Sequence, residues 1–219
     1  DIQLNTINNF KYSNIFISTG YKSAKIKRNE VIKIFNPLFK STNMLHTLFY
    51  SLNSIDKNKD LIISYGDIIY DNIVLDKIIK SRSNISVVID MNWLKYWQLR
   101  FKNPLDDAET LKFNSKHYIT EIGKKTNNLD NINGQYIGLI KIKKTMFKKI
   151  IDLYNQLSIK EKNNYYLTDF IQLLINTKFH VKMISINSGW LEVDSLKDVS
   201  LIKKLIKKKN IKRLIKTHI

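Results

Sequence analysis

Short apolar runs rich in Ile and Val alternate along this chain with segments whose apolar residues recur every three or four positions. That alternation predicts an α/β fold in which helical crossovers join the strands of a mostly parallel sheet. Strands are expected at 14–19, 31–35, 61–65, 85–90, 118–122, 136–142, 181–186 and 190–193. Helices are expected at 41–52, 71–80, 145–157 and 165–177, with an amphipathic basic helix from Ser195 onward that carries Leu196, Val199, Ile202, Leu205 and Ile206 on one face. Between the fourth and fifth strands lies a polar, aromatic insertion, 92–111. No repeat or linker interrupts the pattern, so a single domain over 1–219 is expected, with 195–219 as its basic C-terminal helix. At 219 residues the chain can bury a full α/β core.

Composition narrows the class. No run approaches the roughly 18 apolar residues that span a bilayer, and no secretory segment is visible, so stable membrane insertion is not expected. The absence of cysteine excludes disulfides, thiolate zinc sites and a cysteine nucleophile, and it fits a cytoplasmic protein. The net charge of +18 invites a nucleic-acid reading. However, lysine supplies nearly all of the positive charge, the chain is also rich in Asn and Ile, and much of the excess lies in 203–216. The expectation is therefore no nucleic-acid partner, and a basic surface that attracts phosphorylated substrates. The sequence carries no signal of oligomeric state.

Open α/β sheets bind ligands at the carboxyl ends of their strands, and acidic residues fall there twice. Asp67 follows an apolar strand and Gly66; the plain alternative is a turn or capping aspartate. Glu192 and Asp194 alternate with Leu191 and Val193, which puts both carboxylates on one face of a strand. Mg²⁺ takes oxygen ligands, commonly one or two carboxylates together with substrate phosphate, so these acids form a candidate anchor for it. The alternative for Asp194 is a cap on the next helix. Trp93, Tyr96, Trp97 and Phe101 recur at helical spacing, which reads first as packing. The sharper reading is an aromatic wall for a cationic head group, with Asp90, Asp106, Asp107 and Glu109 as complementary charge. His46, His117, His180 and His218 lack ligand spacing, and the six glycines form neither a dinucleotide fingerprint nor a P-loop.

Several segments occur in an order that carries a likeness. They are Ile17-Ser-Thr-Gly-Tyr21, Asn36-Pro37 followed by Ser41-Thr-Asn43, Tyr65-Gly-Asp-Ile-Ile-Tyr-Asp71, Glu121-Ile-Gly-Lys-Lys125, Gly134-Gln-Tyr-Ile-Gly-Leu139, Leu167-Thr-Asp-Phe170 and Gly189-Trp-Leu-Glu-Val-Asp194. Together, over roughly residues 2–199, the chain resembles the sugar-phosphate nucleotidyltransferase family, and within it the phosphocholine and phosphonate cytidylyltransferases.

The resemblance implies a Rossmann-like (GT-A-like) three-layer fold. The implied reaction has a phosphate or phosphonate oxygen attack the α-phosphorus of a nucleoside triphosphate, CTP by likeness, with release of pyrophosphate. It implies Mg²⁺ held by Asp67 and Asp194, and a phosphate contact at Lys124, where Lys125 stands in place of the family's proline and leaves the choice between the two lysines open. Nucleotide contacts are implied at Thr42, Asn43 and Gly66. Acceptor contacts are expected from Trp93, Trp97, Trp190 and Glu192, with a phosphocholine-like, phosphonate or sugar-phosphate acceptor. The family's N-terminal glycine-rich, triphosphate-wrapping loop has no counterpart here, so the expectation is an N-terminally truncated domain whose activity on its own is open to question. Two other readings stand beside this one: a GT-A glycosyltransferase, against which Asp67 and Asp71 are spaced too far apart, and an inactive or binding remnant of the family.

Overall fold

The computed structural model describes residues 2–216; the final three residues, among them His218, lie outside the described residues. The chain opens with helix α1 (Ile2–Ile7), then alternates β1 (Phe16–Thr19), β2 (Ile32–Phe35), α2 (Met44–Leu52), β3 (Leu61–Ser64), β4 (Ile68–Tyr70), α3 (Asn72–Ile79) and β5 (Ile85–Asp90). The insertion supplies α4 (Trp93–Arg100) and the hairpin β6 (Glu109–Phe113) and β7 (Ile119–Lys125). Then follow β8 (Gln135–Ile142), α5 (Phe147–Gln156), α6 (Ile159–Asn164), α7 (Leu167–Asn176), β9 (Val181–Ile186), β10 (Trp190–Glu192) and α8 (Leu196–Lys207).

The largest sheet has the order β3-β8-β5-β9. Strand β8 runs antiparallel to both β3 and β5, and β5 is parallel to β9, so three of the four strands share one direction. Strands β1 and β2 form a second, parallel pair. The mostly parallel expectation therefore holds, with β8 as the reversed strand.

Alternation along β5 sends Val87 and Ile89 into one core and Val88 into the other. The first core packs α2, α5 and α7 on one face of the sheet, and the second packs α3, α4 and α8 on the other. This is the three-layer arrangement expected of period-two strands buried on both faces. Alternation continues through Gly138, with Ile137 and Leu139 in the second core and Tyr136 and Ile140 in the first, but the pairing with β5 shifts register there, between Val87 and Ile89. Gly138 has φ of 83°, and a β-carbon there would lie 2.6 Å from the ring of Tyr65. Only glycine lets β8 bulge so closely over that ring.

Helix α8 shows why the basic tail is amphipathic. Ile202 and Leu205 are buried, and Lys203, Lys204, Lys207 and Lys208 face outward. Among the described residues no helix is long and apolar enough to cross a membrane.

Candidate functional site

Strand β4 is what brings the predicted acids together. It pairs antiparallel with β10, Ile68 opposite Glu192, and the ladder continues with Val193 N–H donating to the carbonyl of Asp67 at 2.8 Å. Residues on either side of that bond end up adjacent at one rim. One carboxylate oxygen from each of Asp67, Glu192 and Asp194 lies within 4.8 Å of the others. Asp67 and Asp194 are exposed and Glu192 is half-buried. Asp194 does not cap α8; Ser195 does, with a reciprocal bond to Asp198.

The rim is held from three directions. The Gln3 side-chain amide in α1 donates to Ser64 Oγ and to the carbonyls of Tyr65 and Ile68, at 2.9, 2.9 and 3.0 Å, closing the loop that carries Gly66 and Asp67. A β-carbon on Gly66 would meet nothing within 4 Å, so this position faces open space. Behind β10, Trp190 is buried and its indole N–H donates to Asp90 at 2.9 Å. Asp71, the N-cap residue of α3, accepts the backbone N–H of Lys216 on both carboxylate oxygens at 3.0 Å. Asp71 is thus structural, as is Asp90, which also accepts from the backbone of Asn92 and Ser188.

Sequence reasoning missed Arg100. Its side chain is 2% exposed and ends at the acids: Nη1 pairs with Glu192, Nη2 with Asp194 at 2.6 Å, and Nε with Asp198 at 2.9 Å. The guanidinium also lies 5.6, 5.2 and 5.0 Å from the ring centres of Tyr96, Trp97 and Phe101. The aromatic stripe does hold a cation, but one supplied by the chain itself.

This corrects the expected acceptor wall. Trp93, Trp97 and Trp190 are 4%, 1% and 2% exposed, too buried to present their faces to a ligand, so the packing reading of the stripe is the right one. Nothing local in the sequence marks Arg100, because its partners lie far downstream.

Pairing with one arginine does not neutralise the rim. A single guanidinium faces Glu192, Asp194 and Asp198, with Asp67 beside them, so negative charge remains in excess. The titration behaviour reflects that excess. Burial pushes the Glu192 carboxyl up to about 7, with Asp194 and Asp67 adding to the rise and Arg100 opposing it. Burial also raises Asp67, helped by Asp194 and opposed by Arg100. Asp198 is held low by Arg100 and Ser195 in spite of its desolvation. Such clustering of carboxylates whose ionisation is opposed marks a site suited to a divalent cation.

The acidic surface extends toward the hairpin. Burial raises Glu109, with Asp169 and Asp107 adding and Thr168 and Lys125 opposing. The Tyr65 phenol, raised chiefly by burial, feels Glu109, Asp67 and Glu192 together, so it stands between the two groups of acids.

The remaining candidates sit as follows. Lys124 Nζ is 3.5 Å from Glu121 and largely exposed, while Lys125 stands opposite Glu109 in the β6–β7 register. The Thr42 hydroxyl donates to the carbonyl of Leu38 and accepts from Asn36. Asn43 caps α2 through its Oδ1 and donates to the carbonyl of Asn164. Those two side chains are engaged at the start of α2 and make no contact with the acids.

Comparison with known proteins adds an independent line. No family model matches the chain. It is 34% identical over 216 residues to the CTP:phosphoglutamine cytidylyltransferase of Campylobacter jejuni, covering 92% of this chain and 85% of the relative. Two solved structures share its fold. One is the inositol-1-phosphate CTP transferase from T. maritima, with TM-score 0.65 and 19% identity, covering 93% of this chain and 78% of that one. The other is assigned as a glucose-1-phosphate thymidylyltransferase from Bacillus anthracis, with TM-score 0.66 and 12% identity, covering 92% of this chain and 79% of that one.

Proposed function

The chain belongs to the sugar-phosphate nucleotidyltransferase family, among its cytidylyltransferases, and on that premise we propose that it couples CTP to a small phosphorylated acceptor, with Asp67 and Asp194 gripping Mg²⁺ and pyrophosphate leaving. The observation that carries this reading is the convergence of three carboxylates, distant in sequence, within 4.8 Å at the exposed rim of the sheet.

The donor set suits the ion: it is made of oxygen, carries excess negative charge, and leaves two of its three members exposed. Bound there, Mg²⁺ would act as a Lewis acid and neutralise charge on the α-phosphate. Transfer to phosphorus needs alignment and charge neutralisation more than an acid or a base. An acceptor phosphate oxygen forms its bond to the α-phosphorus as the bond to pyrophosphate breaks. Asp67 and Asp194 hold the rim at which those groups meet.

A lysine of β7 supports the acceptor phosphate. Lys125 suits that role better than Lys124, because it faces Glu109 across the hairpin while Lys124 is turned to Glu121. Gly66, with open space before it, lets a nucleotide approach the backbone closely. Thr42 and Asn43 would shape the nucleotide pocket through α2.

On the acceptor side, Glu109, Asp107, Asp169 and Glu192 favour a molecule that carries positive charge beside its phosphate. That preference is compatible with a phosphocholine-like or amino-acid phosphate acceptor and less so with a neutral sugar phosphate. The relative in Campylobacter jejuni is described by its name as acting on phosphoglutamine.

The test is pyrophosphate release from CTP with a panel of phosphorylated acceptors. Asp67→Asn and Asp194→Asn should each lower the rate at least about a hundredfold, in line with loss of electrostatic stabilisation. Lys125→Ala should raise the acceptor KM more than Lys124→Ala does. Full activity in both aspartate variants would refute the site, and transfer of sugar from a finished nucleotide sugar, without pyrophosphate, would refute the reaction.

A further inference from the structure

Arg100 is a buried cation that no sequence pattern announced, and the arrangement around it is specific. Its planar fork meets three carboxylates at once, through Nη1, Nη2 and Nε. On the rim acids it takes one oxygen each, Oε2 of Glu192 and Oδ2 of Asp194, and leaves Oε1 and Oδ1 without guanidinium contact. Its own position is fixed twice over. Asp198, 6% exposed and itself locked in the capping box of α8, receives Nε, and the rings of Tyr96, Trp97 and Phe101 surround the guanidinium. One turn earlier on the same helix, the Tyr96 hydroxyl donates to the Glu192 carbonyl at 2.9 Å and accepts from its N–H at 3.2 Å. Helix α4 therefore grips both the backbone and the side chain of the strand that carries the second pair of acids.

We propose that Arg100 is the positioning residue of the metal site: it orients Glu192 and Asp194 so that their free oxygens face Asp67, and through α4 it ties the insertion to the metal rim. The proposal rests on the metal reading above and adds a residue that reading does not need. Two elementary arguments point in opposite directions here, which makes it testable. A guanidinium beside a cation site repels the cation, so Coulomb's law alone says that removing Arg100 should tighten metal binding. Orientation says the reverse. Two carboxylates freed from a rigid planar donor gain rotamer freedom, which must be lost again on binding.

The experiment is Mn²⁺ binding without nucleotide, followed by calorimetry and by the electron paramagnetic resonance of the free ion. The proteins are wild type, Asp67→Asn, Arg100→Gln, Arg100→Lys and Asp198→Asn. Wild type should bind one ion and Asp67→Asn should bind at least tenfold more weakly. Arg100→Gln should weaken binding about tenfold or more, although it removes a positive charge. Arg100→Lys, which restores charge without the fork, should fall between the two. Asp198→Asn, which loosens the anchor of Arg100 and leaves the side chains of Asp67, Glu192 and Asp194 unaltered while keeping an oxygen for the Asp194 N–H that Asp198 accepts at 3.2 Å, should weaken binding severalfold. Far-ultraviolet dichroism identifies any variant that fails to fold, and the remaining variants then decide.

Tighter or unchanged Mn²⁺ binding in Arg100→Gln, or in Arg100→Lys and Asp198→Asn if the glutamine variant is unfolded, would overturn the positioning role and leave the metal site standing. Failure of wild type to bind Mn²⁺ at all, or undiminished binding by Asp67→Asn, would overturn the metal site and the proposal with it.

Discussion

Glu192 shows how one residue can be both structural and chemically poised. Its carboxyl lies between a buried guanidinium and two further acids, and burial carries it up to about 7 from an ordinary 4.5. In the metal-free protein this has a definite sign. Between about pH 4.5 and 7 the native state keeps a proton that the unfolded state releases, so stability falls as pH rises through that window. Asp67, Asp107 and Glu109 are raised as well and add in the same direction. The Glu192 share is up to about 3 kcal/mol, at 1.36 kcal/mol per pKa unit. Thermal melting in chelator from pH 5 to 7.5 should show wild type losing stability with rising pH, and Glu192→Gln should flatten the slope. An identical slope in the two proteins would contradict this account. Of the residues at the rim, Asp67, Glu192 and Asp194 were legible in the sequence, because strand alternation and position at a strand end are local signals. Arg100 was not, since a buried cation announces itself only through partners that the fold brings from elsewhere.

At the level of elements, the long strands and helices followed from periodicity, and the short connecting pieces did not. Strand β4 spans only Ile68–Tyr70, too few residues to display alternation, yet without it Asp67 would not lie beside Val193 and Asp194. Helix α6 has no apolar stripe; it is set by a reciprocal cap between Ser158 and Glu161, and that Ser-x-x-Glu spacing was the available signal. The tryptophans of α4 and β10 illustrate the limit of a stripe, whose spacing reveals a face and not what the face meets.

Gly138 is the element-level feature with the sharpest consequence. Its φ of 83° and the 2.6 Å approach to the Tyr65 ring leave no room for a side chain. Gly138→Ala should lower unfolding free energy by on the order of 2–4 kcal/mol, from a left-handed backbone and an overpacked ring together. Chemical denaturation measures it directly, and a loss under about 0.5 kcal/mol would show that β8 can relax away from the ring.

Across the whole molecule, charge is divided unequally. The chain carries a net +18, while three of its nineteen acids, Asp67, Glu192 and Asp194, gather at one rim, where the ionisation of Asp67 and Glu192 is opposed. A nucleoside triphosphate and a phosphorylated acceptor are both anions, so the general field draws them in while the rim waits for a divalent ion. Screening acts over roughly 8–10 Å at physiological ionic strength. The KM for both substrates should therefore rise severalfold between about 0.05 and 0.5 M salt with kcat changing less, and steady-state kinetics in a salt series would show it. A KM indifferent to salt would mean that only local contacts recruit substrate. The three-layer order was legible at this scale, because buried strands alternate with crossover helices. How β10 and the C-terminal turn close on Asp71 was not, since backbone hydrogen bonds between distant segments leave no trace in composition.

That closure has a bearing on how the protein is made. Asp67 leaves the ribosome well before the strand that lines up its partners, and the Lys216 amide and Leu214 carbonyl that brace Asp71 and Gly189 follow later still. A nascent chain accordingly has no ion-gripping rim until β10 has emerged, and disrupting the turn at 211–216 would slacken the corner that braces Asp71 and Gly189 beside it.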